Sequence, residues 1–393
     1  MKRNYIAKRF QNAGSGLTLD TEALAKYKDI IDLSIGDTDF ITDEGIINAA
    51  FRDAKAGYTR YGDPKGDPEL IDAVCRAWEE DFGQRLPRDH VLVSASSCLG
   101  MALVMLAILD PGDEVIVFSP YFPMYREQIE LAGGVCVDVP TYASEDYAID
   151  EARLRAAITP RTKAIVFNNP TNPTGMGYDG KTLELLARVA QEHDLLIAAD
   201  EIYTTYLYEG DFRPIRTLPG MAERTITLNS FSKNFLMTGW RVGVIIAEPE
   251  FLDVMIAERE LLAVMNRING SLIYSAPSVS QRAALQALAM RKEIREKYVT
   301  AYRDRIFYSA DRIEKIPYLS LVRPKGTFYL FPGVEKTGLD EKAFCKVLLD
   351  QAHVLVSPGT PFGVSAAGHF RIACTVGIDQ LKTAFDRMEK LSF

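Results

Sequence analysis

Seven short apolar segments recur between residues 91 and 247, and they constrain the fold of this 393-residue chain more than any other feature. Most of them are separated by stretches with the apolar spacing of a helix. Short apolar strands that alternate with helices predict a mainly parallel sheet covered by helices on both faces. The segments are VLVSA at 91–95, EVIVFSP at 114–120, VCVDVP at 135–140, KAIVFN at 163–168, LLIAADE at 195–201, TITLNS at 225–230 and VGVIIA at 242–247.

The pattern changes after about residue 276, where one or two long amphipathic helices are predicted. YLSLV and TFYLF then predict two strands, residues 341–352 a helix, VLVSPG and HFRIAC a strand pair, and the end of the chain a last helix. Residues 1–30 read as a polar arm with a short helix. We expect a three-layer α/β protein with a seven-stranded sheet in a large domain, 44–285, and a smaller α+β domain built from 1–43 and 286–393.

Composition argues against several classes of partner. The net charge is −8, with acidic and basic residues interspersed, and no basic block exists to follow a nucleic-acid backbone. The longest apolar runs reach about half a membrane span, and no apolar core follows the charged N-terminus as it would in a secretory signal. Five scattered cysteines suit a reducing cytoplasm, and four separated histidines give no metal-site spacing. The chain therefore predicts a cytoplasmic protein without metal, membrane or nucleic acid.

The segment 225–243 combines a strand with a polar turn that carries Lys233 between two hydroxyls, Ser230 and Ser232, with Arg241 eight residues later. A lysine amine can form a Schiff base with an aldehyde, and hydroxyls with a guanidinium suit a phosphate dianion. The segment therefore predicts a site for an aldehyde cofactor that also carries a phosphate. An exposed loop lysine with a nearby arginine explains this segment alone about equally well.

Polar residues follow three other strands, and all of them are expected at the carboxyl edge where ligands bind in such sheets. Asn172 follows the fourth strand, Asp200 and Tyr203 follow the fifth, and Ser97 and Cys98 begin the helix after the first. A buried carboxylate needs a cation, and a protonated pyridine nitrogen is one; a helix start favours anions. Ordinary turn chemistry for Asn172 and a plain N-cap serine for Ser97 remain alternatives.

Residues 175–182, GMGYDGKT, match the phosphate-loop pattern of nucleotide-binding proteins, and the acidic pair at 200–201 resembles the strand that holds magnesium in them. That loop requires its first glycine directly after a strand, but NPTNPT with two prolines intervenes here. We interpret the match as an ordinary loop that leads into a helix. A phosphate-loop nucleotide-binding protein is a remote alternative.

The motifs taken together resemble the class I and II aminotransferases, a family of fold-type I enzymes that depend on pyridoxal 5′-phosphate. The resemblance covers nearly the whole chain. SFSK with GWRVG, NPTNPTG, DEIY, GTFYLFP at 326–332, SPGTPFG at 357–363 and FRIA at 370–373 occur in the family's order and spacing. It implies transfer of an amino group between an amino acid and a 2-oxo acid.

The resemblance also implies a role for each site residue. Lys233 would form the Schiff base and shuttle the proton, Asp200 would pair with the ring nitrogen, and Arg371 would take the substrate α-carboxylate. Tyr61 would reach the phosphate of a partner subunit, which implies a homodimer with shared sites. The other implied contacts are Tyr203 and Asn172 on the ring oxygen, Ser230, Ser232, Arg241 and the Ser97–Cys98 turn on the phosphate, Phe122 stacked on the ring (alone, it would be read as a core aromatic), and Gly36 with Asn172 at the substrate.

Departures from the family pattern bear on the substrate. Ser96 stands where the phosphate turn usually has glycine, and Cys98 replaces a more common polar residue, but both keep their backbone N–H. The arginine that selects a second carboxylate in aspartate-specific members is missing: Ser271 lies near its place, and Arg267, four residues earlier, could still serve. We expect a neutral or aromatic donor. A C–S β-lyase of the cystathionine lyase type, which shares these residues, is the alternative, and a cofactor-binding regulator is disfavoured because no DNA-binding domain is appended.

Overall fold

The computed structural model describes Tyr5, residues 26–248 and residues 261–393, so most of the predicted N-terminal arm lies outside the described residues. Several helices in the described part begin at a side chain that caps them: the carboxylates of Asp43 and Asp67 accept from the backbone N–H of Gly45 and Glu69. The helices are Glu44–Lys55, Pro68–Phe82, Ser97–Ile108, Met124–Leu131, Glu151–Ala157, Gly180–Glu192, Phe231–Asn234, Leu261–Leu272, Ser278–Ala289, Arg291–Ile294, Thr300–Ile313, Glu341–Val347 and Ile378–Met388.

A seven-stranded sheet forms the centre of the molecule, in the strand order β2-β8-β7-β6-β5-β3-β4. Only β8 runs antiparallel to its neighbours, β2 and β7. This confirms the predicted α/β fold with a mainly parallel seven-stranded sheet. Its strands are β2 (Val91–Ser94), β3 (Glu114–Ser119), β4 (Val135–Pro140), β5 (Thr162–Asn168), β6 (Leu196–Asp200), β7 (Thr225–Ser230) and β8 (Gly243–Ile246).

Helices cover both faces of this sheet, which explains why its strands read as nearly continuous apolar runs. On one face Met101 and Val104 of the helix Ser97–Ile108 pack in a core with Ile226 of β7. On the other face Leu186 of the helix Gly180–Glu192 packs with Ile197 of β6. The three layers hold the carboxyl ends of the parallel strands together at one edge.

The C-terminal part has its own core, in which Ile306, Phe344, Ile372 and Phe385 are buried together. Its strands are short and form a three-stranded antiparallel sheet, β11-β12-β9, and a parallel pair, β1-β10. The pairing of Ile31 with Val354 brings the region before residue 43 to this part. The strands are β1 (Ile31–Asp32), β9 (Tyr329–Leu330), β10 (Val354–Leu355), β11 (Ser357–Pro358) and β12 (Phe370–Ala373).

Of the strands predicted in this part, one is wrong and another is too long. In YLSLV only Ser320 forms an isolated bridge, because Tyr318 and Leu319 are both buried in a turn after a helix instead of alternating between two faces. TFYLF keeps two strand residues, since Thr327 has a φ of +58° that interrupts the extended backbone. The domain boundaries at 43 and 285 stay predictions, and the second falls inside the helix Ser278–Ala289.

Among the residues that the structure describes, no helix is both long and apolar enough to cross a membrane. The same residues include no cluster of three histidine, cysteine or carboxylate side chains suited to a metal ion.

Candidate active site

A cavity of about 810 Å³ opens where the parallel strands end, and every predicted site residue except Tyr61 lines it. Two sets of residues form its sides. We call the first the sheet wall, because its residues follow the strands of the large sheet, and the second the composite wall, because it joins segments from both ends of the chain. The sheet wall consists of Ser96, Ser97, Cys98, Asp200, Ser230, Ser232, Lys233 and Arg241; the composite wall consists of Ser34, Ile35, Gly36, Asp37, Leu355, Val356, Ser357, Pro358, Pro361 and Arg371.

The sheet wall begins with a turn that leads from β2 into the helix Ser97–Ile108. Ser96 caps this helix, since its Oγ accepts from the backbone N–H of Leu99 at 3.2 Å. A side chain at Gly243 of β8 would place a Cβ 2.4 Å from the nitrogen of Ser97, so only glycine lets β8 approach the turn. The first N–H groups of a helix lack partners within it, and this helix start therefore favours an anion.

Arg241 lines the cavity as part of the same wall and has a φ of +56°. Its Nη1 donates to the carbonyl of Thr238 at 2.9 Å, which fixes the guanidinium without the use of a carboxylate. A cation that lines the cavity together with a helix start suits a phosphate.

Lys233 lies in the short helix Phe231–Asn234 directly after β7, where Ser230 Oγ caps the first turn by accepting from Ser232 N at 3.0 Å. Its Nζ donates to the carbonyl oxygen of Gly36 in the composite wall, at 2.5 Å. A Cβ on Gly36 would collide with the hydroxyl of Tyr329, at 1.8 Å. The amine therefore joins the two walls across the cavity.

Asp200 ends β6 and is only 6% exposed. One carboxylate oxygen accepts from the Tyr125 hydroxyl at 2.5 Å and the other from the N–H of Ile202 at 3.3 Å. Burial raises the pKa of Asp200 to about 6, although both hydrogen bonds act to lower it. No salt bridge among the described residues involves this carboxylate, so it is available to a cationic atom of a ligand.

Arg371 is the buried cation of the composite wall, 5% exposed, and burial lowers the pKa of its guanidinium. Its Nη1 donates to Asn172 Oδ1 at 3.0 Å and its Nη2 to the carbonyl of Ser34 at 2.6 Å. Its buried Nε has no acceptor among the described residues. A guanidinium held in place with a free N–H is suited to a carboxylate ligand.

Aromatic residues complete the cavity. The hydroxyl of Tyr203 donates to that of Tyr329 at 3.1 Å, and the ring of Tyr329 lies 4.7 Å from the guanidinium carbon of Arg371. Phe122 lines the cavity and also packs on one core of the large sheet. Its ring meets that of Tyr125 edge to face at 5.7 Å.

Several lining residues were missed from the sequence. Tyr125 lies on the helix Met124–Leu131 that follows β3, so its place after another strand end of the sheet was the available signal. Ser34 and Tyr329 lie in or beside motifs that were noticed, but the functional atom of Ser34 is a backbone oxygen. Lys342, on the helix Glu341–Val347, gave no signal beyond an exposed charge.

Three other residues singled out in the sequence lie away from the cavity. Tyr61 is 85% exposed and touches only Tyr274 by ring contact, at 4.9 Å, so its role at a partner subunit stays a prediction. Arg267 and Ser271 are exposed on the helix Leu261–Leu272 and do not line the cavity within this chain.

The phosphate-loop match is an ordinary loop. The carboxylate of Asp179 accepts from Thr182 N at 2.9 Å and thus occupies the helix start that a nucleotide phosphate would need. The carbonyl of Gly175 accepts from the backbone nitrogens of Lys325 and Gly326. Lys181 is exposed and does not line the cavity.

Comparisons with known proteins match nearly the whole chain to one family. The family model described as "Aminotransferase class I and II" matches residues 28–388. The aspartate/prephenate aminotransferase of Thermus thermophilus is 37% identical over 92% of this chain and 91% of its own length. A solved double mutant of Thermus thermophilus aspartate aminotransferase gives a TM-score of 0.91 at 34% identity, over 99% of this chain and 100% of its own. The aromatic aminotransferase of Pyrococcus horikoshii OT3 gives 0.87 at 33%, over 94% and 97%.

Proposed function

The chain belongs to the class I and II aminotransferases, which depend on pyridoxal 5′-phosphate, and from this premise we propose how its own residues carry the reaction. It is an aminotransferase that acts on an amino acid and a 2-oxo acid. The observation that supports our residue assignment is that Lys233, Asp200 and Arg371 line one cavity beside an open helix start.

The residues present fit the cofactor. Asp200, a buried carboxylate without a cation, suits a protonated ring nitrogen, and that cation would in turn keep Asp200 ionised. The helix start at Ser97 with Arg241, Ser230 and Ser232 suits the phosphate group. When bound, pyridoxal phosphate supplies an aldehyde carbon that takes the amino group and a conjugated ring that accepts electrons.

Lys233 acts as the anchor of the cofactor and as general base and acid. With the cofactor bound, its Nζ would take the proton of the substrate α-carbon and would later donate it. The carbonyl of Gly36 accepts from this nitrogen and holds it beside the composite wall, where the substrate is to be bound.

Arg371 binds the α-carboxylate of either substrate. Asn172 and Ser34 already fix its terminal nitrogens, so little side-chain freedom is lost when a carboxylate arrives. The rings of Tyr329 and Phe362, 4.7 and 4.9 Å from its guanidinium carbon, exclude water from the charge. A carboxylate here therefore binds at low dielectric, where the pairing is strong.

A neutral or aromatic amino donor is supported by the composite wall. In the described part of the chain, no arginine besides Arg241 and Arg371 lines the cavity. The wall presents Ile35, Leu355 and Val356 instead, together with two prolines. Apolar side chains gain from burial against such a surface.

A homodimer with shared sites is supported by exposed apolar residues close in sequence to Tyr61 and Tyr274, whose rings contact each other. Tyr58, Leu272, Ile273 and Tyr274 are 39%, 54%, 37% and 49% exposed, and clustered apolar exposure marks contact surfaces. We place Tyr61 at the phosphate of the partner subunit and expect a dimer by light scattering at micromolar concentration. A Tyr61→Phe subunit mixed with a Lys233→Ala subunit should regain part of the activity.

The five cysteines, all described and all unpaired, fit a cytoplasmic location, which we propose on that ground. Cell fractionation with an antibody against the protein tests it.

A panel of amino donors against pyruvate and 2-oxoglutarate tests the function. Alanine, phenylalanine and methionine lack a good β-leaving group, so their turnover with a 2-oxo acid requires amino transfer. We expect that turnover, with little pyruvate formed from cystathionine. Release of pyruvate and ammonia from cystathionine, without consumption of any 2-oxo acid, would show a β-lyase instead.

A further inference from the structure

One cation at the rim of the cavity has no role in the reaction as described so far. Lys342 lines the cavity together with the apolar part of the composite wall and is exposed. Lys233, Arg241 and Arg371 already serve the cofactor or the α-carboxylate in the proposed function.

The backbone of Lys342 is fixed at the rim. Asp340 caps its helix, accepting from Ala343 N at 2.7 Å. The neighbouring Glu341 is buried and accepts from the Thr360 hydroxyl and, at 2.9 Å, from the N–H of Gly368. These contacts attach the helix to the loop that carries Pro361, so Lys342 stays beside the composite wall.

The ammonium of Lys342 forms no hydrogen bond and no salt bridge with any described residue. The other cations that line the cavity do have acceptors: Lys233 donates to Gly36, and Arg241 to Thr238. Asp37, an acid of the same cavity, accepts from the Thr238 hydroxyl at 2.7 Å and is not paired with Lys342. One turn further along the helix, Lys346 is paired with Asp350 at 2.5 Å.

Arg371, Lys342 and the apolar residues of the composite wall line the same cavity. Arg371 pairs in register with Ser357 of β11, and Pro358 and Pro361 continue the lining. A substrate held by Arg371 would place its side chain in a cavity that offers both these apolar residues and the Lys342 ammonium. The flexible stem of a lysine lets the ammonium reach inward or remain in water.

We propose that Lys342 determines substrate specificity by binding the distal carboxylate of a dicarboxylic substrate of glutamate or 2-oxoglutarate size. An aminotransferase takes two substrates in turn in one pocket, and here the apolar wall would take a neutral side chain and Lys342 the second charge. The assignment of Lys342 rests on aminotransfer as the function.

Steady-state kinetics of the holoenzyme test the assignment with Lys342→Ala and Lys342→Gln. We expect KM for glutamate and 2-oxoglutarate to rise about 2- to 5-fold, as for an exposed ion pair, with kcat little changed. KM for alanine, phenylalanine and pyruvate should stay within about twofold. The difference between wild type and the Lys342 variants in KM for glutamate and 2-oxoglutarate should shrink at high salt, because exposed charges are screened. Lys346→Ala is the matched control on the same helix, and Arg267→Ala tests the other candidate cation.

Calorimetric binding of glutarate and pentanoate gives a second readout that does not require turnover. The two ligands share their chain length and differ by one carboxylate. Wild type should prefer glutarate, and Lys342→Ala should lose that preference while it still binds pentanoate. Equal loss for both ligands, or loss of the preference in Arg267→Ala but not in Lys342→Ala, overturns the assignment. Absence of turnover with every donor, with the glutarate preference intact, would instead overturn aminotransfer.

Discussion

The sheet wall stands on strands of four to seven residues, whereas the strands behind the composite wall have two to four. In the sheet wall, register places the functional groups: Asn168 pairs with Asp200 across β5 and β6, and Ser230 with Gly243 across β7 and β8. In the composite wall, the functional groups are placed by contacts between residues distant in sequence, such as Arg371 and Ser34, which are 337 residues apart. We infer that chemistry is fixed by the sheet and substrate choice by the assembly of remote segments.

Lys233→Ala is the change expected to have the largest effect, because it removes the reactive group of the sheet wall. The rate should fall by at least about 10²–10⁴ if proton transfer is its main task. Borohydride should fix the cofactor to Lys233 in the wild type and to nothing in the variant, as peptide mapping would show. Lys181→Ala is the control and should behave as wild type. A label on Lys181, or none in the wild type, contradicts the assignment.

Arg371→Ala tests the composite wall in the same way and should leave the sheet wall intact. Loss of a buried charge partner of a carboxylate costs about 2–5 kcal/mol, or roughly 30- to 5,000-fold in kcat/KM. Because the α-carboxylate is common to all substrates, every amino acid should be affected alike, while cofactor absorbance is kept. Lys346→Ala, which removes an exposed charge outside the cavity, is the control. If the variant loses cofactor but keeps a normal KM, Arg371 serves the cofactor and not the substrate carboxylate.

Glu201→Gln probes the support behind the sheet wall. Glu201 is 1% exposed and accepts from Ile215 N at 3.0 Å, and burial raises its pKa from 4.5 to about 8. Between these values the folded protein holds a proton that the unfolded chain releases, so stability falls as pH rises through this window. The variant has no carboxyl group to ionise, so its stability should not fall in this window. Its amide oxygen can still accept from Ile215 N.

At pH 8 the cofactor-free variant should therefore have a free energy of unfolding about 2–4 kcal/mol higher than that of the cofactor-free wild type. At pH 4.5 the two proteins should unfold at nearly the same urea concentration. Urea unfolding followed by circular dichroism at the two pH values measures this. Parallel pH dependence in the two proteins would mean that Glu201 is ionised in the fold.

Ser96 gives the smallest expected effect. Its φ of +94° and ψ of 154° belong to a region that side chains rarely adopt, and the strain is compensated by its helix cap. Ser96→Ala keeps the strain and loses the cap, so it should lower stability by about 1 kcal/mol. Ser96→Gly should change it by less than about 1 kcal/mol, since glycine relieves the strain. Equal thermal midpoints for the two variants would show that the turn is unstrained.

The two walls also differ in how far they follow from the sequence. Asp200 and Lys233 come directly after apolar strands, so a parallel sheet places both at one edge. Tyr125 was missed because its contact with Asp200 depends on the spatial order of β3, β5 and β6, which segment lengths do not reveal. In the composite wall Arg371 came from family resemblance, whereas the backbone oxygen of Ser34 leaves no side-chain signal.

The pairing of β1 with β10 sets an order of events during synthesis. All strands of the large sheet have been synthesised once the ribosome reaches Ile246. Ile31, in contrast, cannot pair until Val354 has been synthesised. At roughly 5–20 residues per second, the ribosome needs tens of seconds more to deliver that partner after Ile31 has emerged. The sheet that carries the sheet wall is therefore synthesised in full before the segments of the composite wall can come together.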